Sequence, residues 1–467
     1  MEEHILLEWN PWWTSPYRVD HIHRDVMVEF ENWMPRKEII AITGTRRSGK
    51  TTLMYIMIES LLKTIPKENI LFIKCDDERV MEQNVIEKAR ELHAELFNPK
   101  GRVFIFLDEV QELNGWSQTV KRIYDLADNV RFGYSDQELD DNRMYEVGGV
   151  GGGDDLLTDL NGYGIKIILT GSRIMKEELG MNLAGRFVKI EVYPFSFREF
   201  LGSRGIMTDN RLEMITHKDA ILNQLREFIE WGGFPEIVLE RDPGRKRELL
   251  HFYSDSILYR DVVRRSGLTK IDKLEILKNL LLTNVSNLMS FNKLSKQLRI
   301  SQDTVTGYVH AMENASFIFP VSTFAFSLKK QLVNPKKIYC IDSGLRNVVG
   351  FRFSSDVGRL YENIVYLQLR RRFRDIYYWK ANGNGGIIKN GEVDFVIMEG
   401  NKVIQAIQVC YDIESAEVRE IKALLKCLDE FDLKEGVIVT GRVKKTEVHD
   451  KKLIHYIPLW EWLLENA

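Results

Sequence analysis

Short apolar runs alternate with amphipathic segments between about residue 37 and residue 200. Apolar runs of this length predict buried strands, and the segments between them have the spacing of helices with one apolar face. Such alternation is typical of a parallel sheet that is covered by helices on both sides. The strands are predicted at 39–42, 70–74, 103–107, 165–169 and 188–192.

A Gly- and Asp-rich stretch at 131–164 interrupts this alternation. Because it has few apolar residues to bury, we expect an exposed and poorly ordered insertion. Residues 201–268 have a mostly helical pattern, and residues 269–350 have a helix–turn–helix rhythm. Residues 351–467 begin with a helix and continue with strands and helices, which predicts a second α/β module.

Residues 1–36 form an N-terminal leader that contains an aromatic cluster of Trp9, Trp12 and Trp13. Exposed tryptophans are uncommon, so we expect the leader to pack against the α/β domain at 37–200. A patch that binds a partner is the alternative interpretation.

The loop after the first predicted strand carries the strongest chemical signal. It matches the phosphate-binding pattern G-x-x-x-x-G-K-[ST] and lies between a strand and a helix, the context that the pattern needs. Its backbone N–H groups would surround phosphate oxygens, its lysine would reach the β- and γ-phosphates, and its threonine hydroxyl would ligate Mg²⁺. The sequence therefore predicts binding of a nucleoside triphosphate through Gly44, Thr45, Arg46, Arg47, Ser48, Gly49, Lys50, Thr51 and Thr52.

Two carboxylates end the third predicted strand. In a nucleotide-binding sheet, Asp108 would hold Mg²⁺ and Glu109 would orient and deprotonate the attacking water. At the end of the next strand, Thr170 or Ser172 is a candidate sensor of the γ-phosphate, and a simple strand-ending turn is the alternative. Arg186 is a candidate for stabilising phosphoryl charge within one chain or across subunits, with a surface salt bridge as its alternative role.

Composition limits which partners, metal sites and cellular compartments the sequence predicts. Lys and Arg number 65 against 68 Asp and Glu, so the net charge does not indicate a nucleic-acid binder. The four cysteines are far apart in sequence, which indicates neither a disulfide framework nor a zinc site. The N-terminus lacks the basic region of a secretory signal peptide, and the sequence has no apolar run long enough to span a membrane. We therefore expect a cytoplasmic protein without a membrane partner.

Several motifs carry a resemblance to a known family. The sequence resembles the AAA+-related prokaryotic ATPases with a C-terminal restriction-endonuclease-like domain, through GTRRSGKTTL, LDEVQELNGW, ILTGSR, LAGRF, YPFSFREF and EWGGFPEIV. The resemblance implies a P-loop NTPase sheet in the order 5-1-4-3-2, a helical lid at 201–268, a winged helix at 269–350 and a PD-(D/E)xK nuclease-like domain at 351–467. The stretch at 131–164 departs from the family pattern.

The same resemblance implies roles for single residues. Lys50 and Thr51 correspond to the Walker A pair, and Asp108 and Glu109 to Walker B. The polar end of the fourth strand corresponds to sensor 1, and Arg186 aligns with a recurrent Gly-Arg of the family.

The helix–turn–helix pattern makes DNA a candidate partner. Ser301 is the predicted N-cap of the second helix, but residues 302–315 contain no Lys or Arg. Because phosphate affinity needs basic side chains, it would have to come from elsewhere. Examples are Lys293, Lys296 and Arg299, or alternatively Lys329, Lys330, Lys336 and Lys337 on a predicted wing. Packing or dimerisation is the alternative use of this module.

The C-terminal module lacks part of the nuclease site that its resemblance implies. Glu362 and Asp394 occupy the places of metal-binding carboxylates, but the strand expected to contain E-x-K reads Gln408-Val409-Cys410. Glutamine and cysteine do not replace the missing acid and lysine. Rescue by Glu392 or Lys380 stays open, and nuclease activity is not predicted.

The leading hypothesis is an Mg²⁺-dependent ATPase that acts as a nucleotide-driven switch, with Lys50, Glu109 and Arg186 as its catalytic residues. The sequence has no Asn-Lys-x-Asp motif for guanine, which favours ATP. DNA and a second copy of the chain are candidate partners. The alternatives are a DNA-binding protein regulated by nucleotide and an ATP-dependent nuclease.

Overall fold

The computed structural model describes residues 1–80, 84–132, 164–171, 182–264, 270–351, 357–381 and 391–466. Contacts divide the chain into two compact units. The first contains Met1–Gly44 and Gly49–Val192, and the second contains Thr45–Ser48 and Tyr193–Ala467. Most of the predicted insertion, residues 133–163, lies outside the described residues.

The first unit is built on a sheet of five strands, which are β1 Ile39–Thr43, β2 Ile70–Lys74, β3 Val103–Asp108, β4 Ile165–Gly171 and β5 Phe187–Glu191. Their order is β2-β3-β4-β1-β5, and every neighbouring pair is parallel. All of β1 is buried, as expected for a strand with helices on both faces. The predicted α/β fold and the order 5-1-4-3-2 are confirmed.

The described residues of this unit form five α-helices, which are α1 Glu3–Trp9, α2 Met27–Trp33, α3 Lys50–Leu61, α4 Val85–Phe97 and α5 Trp116–Phe132. The three leader tryptophans are buried in the same core as the strands. Asn10 covers the free edge of β2, because its Nδ2 donates to the Phe72 carbonyl at 2.9 Å and its Oδ1 accepts from the Phe72 N–H at 2.7 Å. These contacts favour the packing interpretation of the leader and satisfy an otherwise open strand edge.

The second unit is rich in helices. Those described are α6 Phe197–Ser203, α7 Arg211–Thr216, α8 Lys218–Trp231, α9 Pro235–Leu239, α10 Pro243–Ser256, α11 Ile271–Thr283, α12 Phe291–Leu298, α13 Gln302–Asn314, α14 Leu328–Val333, α15 Ser343–Val349, α16 Val357–Arg372, α17 Ile413–Glu430 and α18 Leu459–Glu465. A π-helical segment, Ile257–Val263, continues α10.

Two sheets accompany these helices. The smaller contains β6 Leu288–Met289, β7 Ile318–Val321 and β8 Lys336–Cys340 in the antiparallel order β6-β8-β7. The larger contains β9 Asp375–Lys380, β10 Glu392–Glu399, β11 Lys402–Cys410, β12 Glu435–Thr440, β13 Lys445–His449 and β14 Lys452–Pro458, in the mixed order β13-β14-β12-β11-β10-β9. The naming of these parts as winged helix and nuclease-like domain stays a prediction.

The Gly-Gly motif after α8 permits an unusually close approach to the start of α15. A Cβ at Gly232 would lie 2.0 Å from Asp342 Oδ1, and a Cβ at Gly344 would lie 2.0 Å from the Trp231 carbonyl oxygen. Asp342 Oδ2 accepts from the Gly233 N–H at 2.7 Å, and its Oδ1 caps α15 by accepting from the Leu345 N–H at 3.0 Å. Any side chain at Gly232 would therefore disrupt this junction.

The described residues contain no disulfide, no cluster of metal-binding side chains and no membrane-length apolar helix. The four cysteines are buried and form no disulfide. No group of three His, Cys, Asp or Glu among the described residues has the arrangement of a metal site. None of the described helices is both long enough and apolar enough to cross a bilayer.

Candidate nucleotide site

The loop between β1 and α3 contains three residues with positive φ, which are Gly44 at 145°, Arg47 at 66° and Gly49 at 92°. Gly49 is the N-cap of α3, a left-handed position that glycine adopts without a steric penalty. The first N–H groups of a helix have no intrahelical acceptor, so they favour an anion. The local backbone is therefore suited to binding phosphate oxygens.

Lys50 begins α3, and its side chain is only 4% exposed. Its Nζ donates to the Gly44 carbonyl at 3.2 Å and lies 3.9 Å from Glu109 Oε1. The ammonium group is thus held between the start of the loop and the second Walker B carboxylate. This position gives the site a fixed positive charge.

Asp108 at the end of β3 connects two hydroxyl groups. Thr51 Oγ1 donates to Asp108 Oδ2 at 3.0 Å, and Thr170 Oγ1 makes a short hydrogen bond to Asp108 Oδ1. Thr170 is the penultimate residue of β4, which lies between β3 and β1 in the sheet. Parallel strands therefore bring all three side chains to one edge, as the sequence interpretation requires.

Glu109 follows β3 with a φ of 53°, in the left-handed region that non-glycine residues rarely adopt. Its N–H donates to Thr170 Oγ1 at 2.9 Å, and Gln111 Nε2 makes a short hydrogen bond to its Oε2. Strained backbone conformations that are held by several contacts are frequent at functional sites. Gln111 thus contacts the predicted base, and the sequence interpretation did not identify it.

The electrostatics of the site favour an added cation. Burial, together with the charge of Glu109, raises the pKa of Asp108 to about 6, although hydrogen bonds from Thr170 and Thr51 and the charge of Lys50 act in the opposite direction. Burial also raises the pKa of the nearby Asp76 carboxyl. A divalent cation would relieve this repulsion between carboxylates.

The residues present fit Mg²⁺. This ion prefers oxygen ligands and is usually bound by one or two carboxylates together with phosphates and water. Thr51 Oγ1 and the Asp108 carboxylate supply two adjacent oxygen ligands of this kind. A pair of protein ligands, rather than a cluster of three or more acids, is what a site completed by phosphate oxygens requires.

The loop arginines contact residues of the second unit, to which Thr45–Ser48 belong. Arg46 Nε donates to both carboxylate oxygens of Asp261 at 2.9 Å, and Asp261 is buried. Arg47 Nη1 donates to Glu236 Oε2 at 3.4 Å, and its guanidinium lies 5.6 Å from the centre of the Tyr253 ring. Both arginine side chains thus have protein partners.

Arg186 and Thr52 are predicted site residues for which no contact with this network is described. Arg186 Nε donates to Asp125 Oδ1 at 2.9 Å, and its side chain is 33% exposed. This is the salt bridge that was the alternative interpretation, and the contacts described for Arg186 include none with Lys50 or Asp108. Ser172 lies outside the described residues. Thr52 is exposed on α3.

The basic residues predicted for DNA binding differ in exposure. Lys293, Lys296, Arg299, Lys329 and Lys330 are exposed, and Ser301 Oγ caps α13 by accepting from the Thr304 N–H at 3.0 Å, as predicted. Lys337, however, is only 2% exposed. The expectation that Lys337 contacts DNA is wrong, because its ammonium group is enclosed by carboxylates.

Lys337 is the centre of a buried ionic cluster in the second unit. Its Nζ lies 2.6 Å from Asp394 Oδ1, 2.8 Å from Glu392 Oε1 and 3.0 Å from Glu362 Oε1. Burial disfavours the charged lysine, but the three carboxylates outweigh it and keep the pKa of Lys337 well above its ordinary value. The carboxylates predicted as metal ligands therefore already have a protein cation among them.

Gln408 occupies the place of the missing acid in this cluster. Its Nε2 donates to Glu420 Oε2 at 2.7 Å, and its Oε1 accepts from the Asp394 N–H at 3.1 Å. Lys380 pairs with Glu392 at 3.4 Å. Lys337 comes from β8 rather than from the nuclease-like segment, so no motif spacing could have identified it.

Comparison with known proteins places the chain in a family. It is 31% identical over 459 residues to the uncharacterized protein MJ1544 of Methanocaldococcus jannaschii, and the match covers 95% of this chain and 91% of that protein. The chain belongs to the family of MJ1544. A second relative of this chain is an uncharacterized protein of Haemophilus influenzae. The two are 26% identical over 441 residues, and the match covers 91% of this chain and 94% of the relative.

Three family models match successive parts of the chain. They are an AAA domain at 36–136, a domain of unknown function (DUF8612) at 222–355 and a domain of unknown function (DUF4143) at 357–462. The AAA match contains Lys50, Thr51, Asp108 and Glu109, so residues 36–136 of this family member are similar to an AAA domain.

Solved structures add little to this assignment. A signal transduction ATPase (STAND) with a tetratricopeptide repeat sensor, PH0952 from Pyrococcus horikoshii, matches 77% of this chain at 10% identity with a TM-score of 0.24. The match spans about half of that solved chain, 47%. Similarity at this level carries no argument about activity.

The raised pKa of Asp108 leads to a prediction about stability without nucleotide or Mg²⁺. The folded state keeps the proton of the Asp108 carboxyl up to about pH 6. The contribution of this carboxyl to stability is therefore fully present below its unfolded pKa near 4 and is lost as the pH rises through 6. Asp108→Asn removes the buried charge and keeps an acceptor for Thr170. We expect it to raise the free energy of unfolding by about 2 kcal/mol near pH 7.5 and by almost nothing near pH 4, in urea titrations.

Asp77→Asn is the matched control, because hydrogen bonds from Arg79 lower the pKa of Asp77. That substitution should destabilise the protein near pH 7.5 or leave it unchanged. Equal unfolding curves for Asp108→Asn and the wild type at neutral pH would contradict the raised pKa of the buried Asp108 carboxyl.

Proposed function

We propose that this protein is an Mg²⁺-dependent ATPase whose conformation depends on the bound nucleotide. One observation supports the proposal above all: the described side chains from the loop after β1 and from the ends of β3 and β4 form a connected network, with the members Lys50, Thr51, Asp108, Glu109 and Thr170. The carboxyl ends of parallel strands are where open α/β sheets bind ligands.

Each member of the network has a role in this proposal. The loop N–H groups and Lys50 bind the phosphate oxygens of ATP, and Thr51 and Asp108 hold Mg²⁺. When bound between these two side chains, the ion would supply positive charge that offsets the charge of the phosphates. Glu109 orients the attacking water and accepts its proton, and its hydrogen bond with Gln111 fixes the direction of the carboxylate.

Thr170 is the proposed sensor. Its hydroxyl donates to Asp108 and accepts from the Glu109 N–H, so one side chain joins the metal ligand to the general base. When the γ-phosphate leaves, the charge that faces these two acids changes. Thr170 would transmit that change to the end of β4, which is the conformational step of the switch.

The remaining parts of the chain are proposed receivers of the switch. The helical lid, the winged helix and the nuclease-like module would pass it to a partner, with DNA and a second copy of the chain as the candidates. Arg186 is proposed to complete the site of a neighbouring subunit, since within its own chain it pairs with Asp125. Cleavage of DNA is not expected, because the ammonium group of Lys337 already lies between the carboxylates that a metal would need.

Steady-state hydrolysis of ATP tests the proposal. We expect phosphate release that requires Mg²⁺, stops with EDTA and is faster for ATP than for GTP. Measurements across protein concentrations, with and without duplex DNA at low salt, should show a rate per chain that rises if a neighbouring subunit supplies Arg186. The absence of ATP turnover under all of these conditions would refute an ATPase and leave the nucleotide a regulatory role.

A further inference from the structure

A cavity lies entirely within the second unit. Its volume is about 700 Å³, and its walls come from α8, α15, α16, α18 and the turns that follow β11 and β12. It is therefore located where the segments matched as DUF8612 and DUF4143 meet. Ligand sites often occur where two domains meet, and this volume is within their usual range.

The charge of this cavity is opposite to that of the whole chain. Five cationic side chains line it, against the two carboxylates of Glu230 and Glu461, and these cations are Lys218, Arg226, Arg346, Arg442 and Lys444. Only Lys444 has a described ion pair with one of the two acids, Glu461. The whole protein has a net charge of −3, so this concave surface is a local region of positive potential.

Two of the arginines differ in a way that suits recognition of an anion. Arg346 is 1% exposed, and its Nη1 lies 3.3 Å from Asn347 Oδ1, while Asn347 Nδ2 donates to the carbonyls of Ile229 and Glu230 at 2.9 and 3.0 Å. This framework fixes one guanidinium at the wall. Arg442 is exposed at the rim, and no carboxylate in the described part of the chain forms an ion pair with it.

Aromatic rings cover another part of the wall. Tyr361 and Tyr411 pack edge to face with their centres 5.0 Å apart, and Lys218 Nζ lies 5.9 Å from the Trp460 ring centre. Burial raises the pKa of Tyr361 to about 12, against the opposing charges of Arg442 and Arg226. Its hydroxyl therefore remains a neutral donor within the electrostatic range of both guanidinium groups.

We propose that this cavity is a second ligand site, which binds a nucleoside monophosphate or a terminal nucleotide of the same chemistry. The guanidinium groups of Arg226, Arg346 and Arg442 would bind the phosphate, since arginine recognises phosphate through paired donors. The rings of Tyr411 and Trp460 would contact the base. An inorganic anion alone would leave the aromatic wall unused, and an uncharged ligand would make no use of the positive potential of the cavity.

Binding of radiolabelled AMP to the full chain, measured by equilibrium dialysis without Mg²⁺, tests this site. AMP has a single phosphate and lacks the β- and γ-phosphates that Lys50 is proposed to contact. We therefore expect little binding of AMP at this loop. We expect one saturable site per chain with a dissociation constant below about 1 mM. Arg442→Glu should weaken binding at least about tenfold, because it replaces a phosphate ligand by a repelling charge.

Two variants act as controls. Arg247→Glu makes the same change at an exposed arginine of α10 that does not line the cavity, and it should bind AMP like the wild type. Lys50→Ala should also bind AMP normally, which separates this site from the proposed ATPase site. Loss of AMP binding in Lys50→Ala with full binding in Arg442→Glu would assign the ligand to the P-loop and overturn the proposal.

Competition identifies the source of the ligand. A 5′-phosphorylated single-stranded trinucleotide that displaces AMP at lower concentration than AMP itself, through Arg442, would support the end of a strand as the occupant. Tighter binding of AMP would support a free nucleotide. Displacement by inorganic phosphate as effectively as by AMP, or no saturable binding at all, would refute recognition of a nucleotide.

Discussion

Glu109→Gln is expected to lower the rate of ATP hydrolysis by about 100- to 10,000-fold while nucleotide binding is retained. Glutamine has nearly the same shape as glutamate and still accepts a hydrogen bond, but it cannot take a proton from water. Lys50 and the loop remain in place, so the affinity for ATP should change little. Single-turnover hydrolysis, combined with equilibrium binding of a fluorescent ATP analogue, measures the two effects separately.

Glu112→Gln is the matched control, because it makes the same substitution three residues further along, after the strained position. It should hydrolyse ATP at close to the wild-type rate. If Glu109→Gln also hydrolyses ATP at the wild-type rate, then another group is the base and the assignment of Glu109 is wrong.

The sheet of the first unit could be predicted because its strands are buried on both faces. Ile39, Ile40, Ala41 and Ile42 are all completely buried, and such strands read as continuous apolar runs that need no partner to be recognised. The order of the strands has a different origin. It followed from the resemblance to a family, since apolar runs do not show which strands are neighbours.

The candidate site was predictable where its residues lie within short motifs. The choice between Thr170 and Ser172 was not, because both are polar residues at the end of one strand. The contact of Thr170 with both Asp108 and the Glu109 backbone depends on the register of β3 and β4. Strand register comes from packing of the whole sheet, and a single strand sequence does not contain it.

Lys337 shows most clearly what a local pattern cannot reveal. Lys336 and Lys337 are neighbours in β8, so their side chains point to opposite faces, and a pair of lysines gives no sign of which face is buried. The carboxylates that enclose Lys337 are 25 to 57 residues away in sequence. Strand β13 gives a similarly weak local signal, because it alternates between half-buried and exposed positions and has few apolar residues.

Lys50→Ala is expected to abolish both ATP turnover and detectable binding of ATP at the loop. The side chain is buried with its Nζ fixed between the Gly44 carbonyl and Glu109, so no other described cation of the first unit can take its place without rearrangement of the loop. Removal of the ammonium group also leaves Glu109 facing the phosphates without an intervening positive charge. Both effects weaken binding of ATP, and together they should exceed a 100-fold loss of affinity, or roughly 3 kcal/mol.

Thermal unfolding distinguishes this loss from simple misfolding. A ligand that binds only the folded state raises its stability by about 2.7 kcal/mol at a concentration of 100 times the dissociation constant. The wild type and Lys63→Ala, which changes an exposed lysine just after α3, should therefore unfold at higher temperature with ATP and Mg²⁺. Lys50→Ala should show a cooperative transition that ATP does not move. A full shift by ATP in Lys50→Ala would mean that the triphosphate binds elsewhere, because no other described lysine contacts the Gly44 carbonyl and Glu109 together.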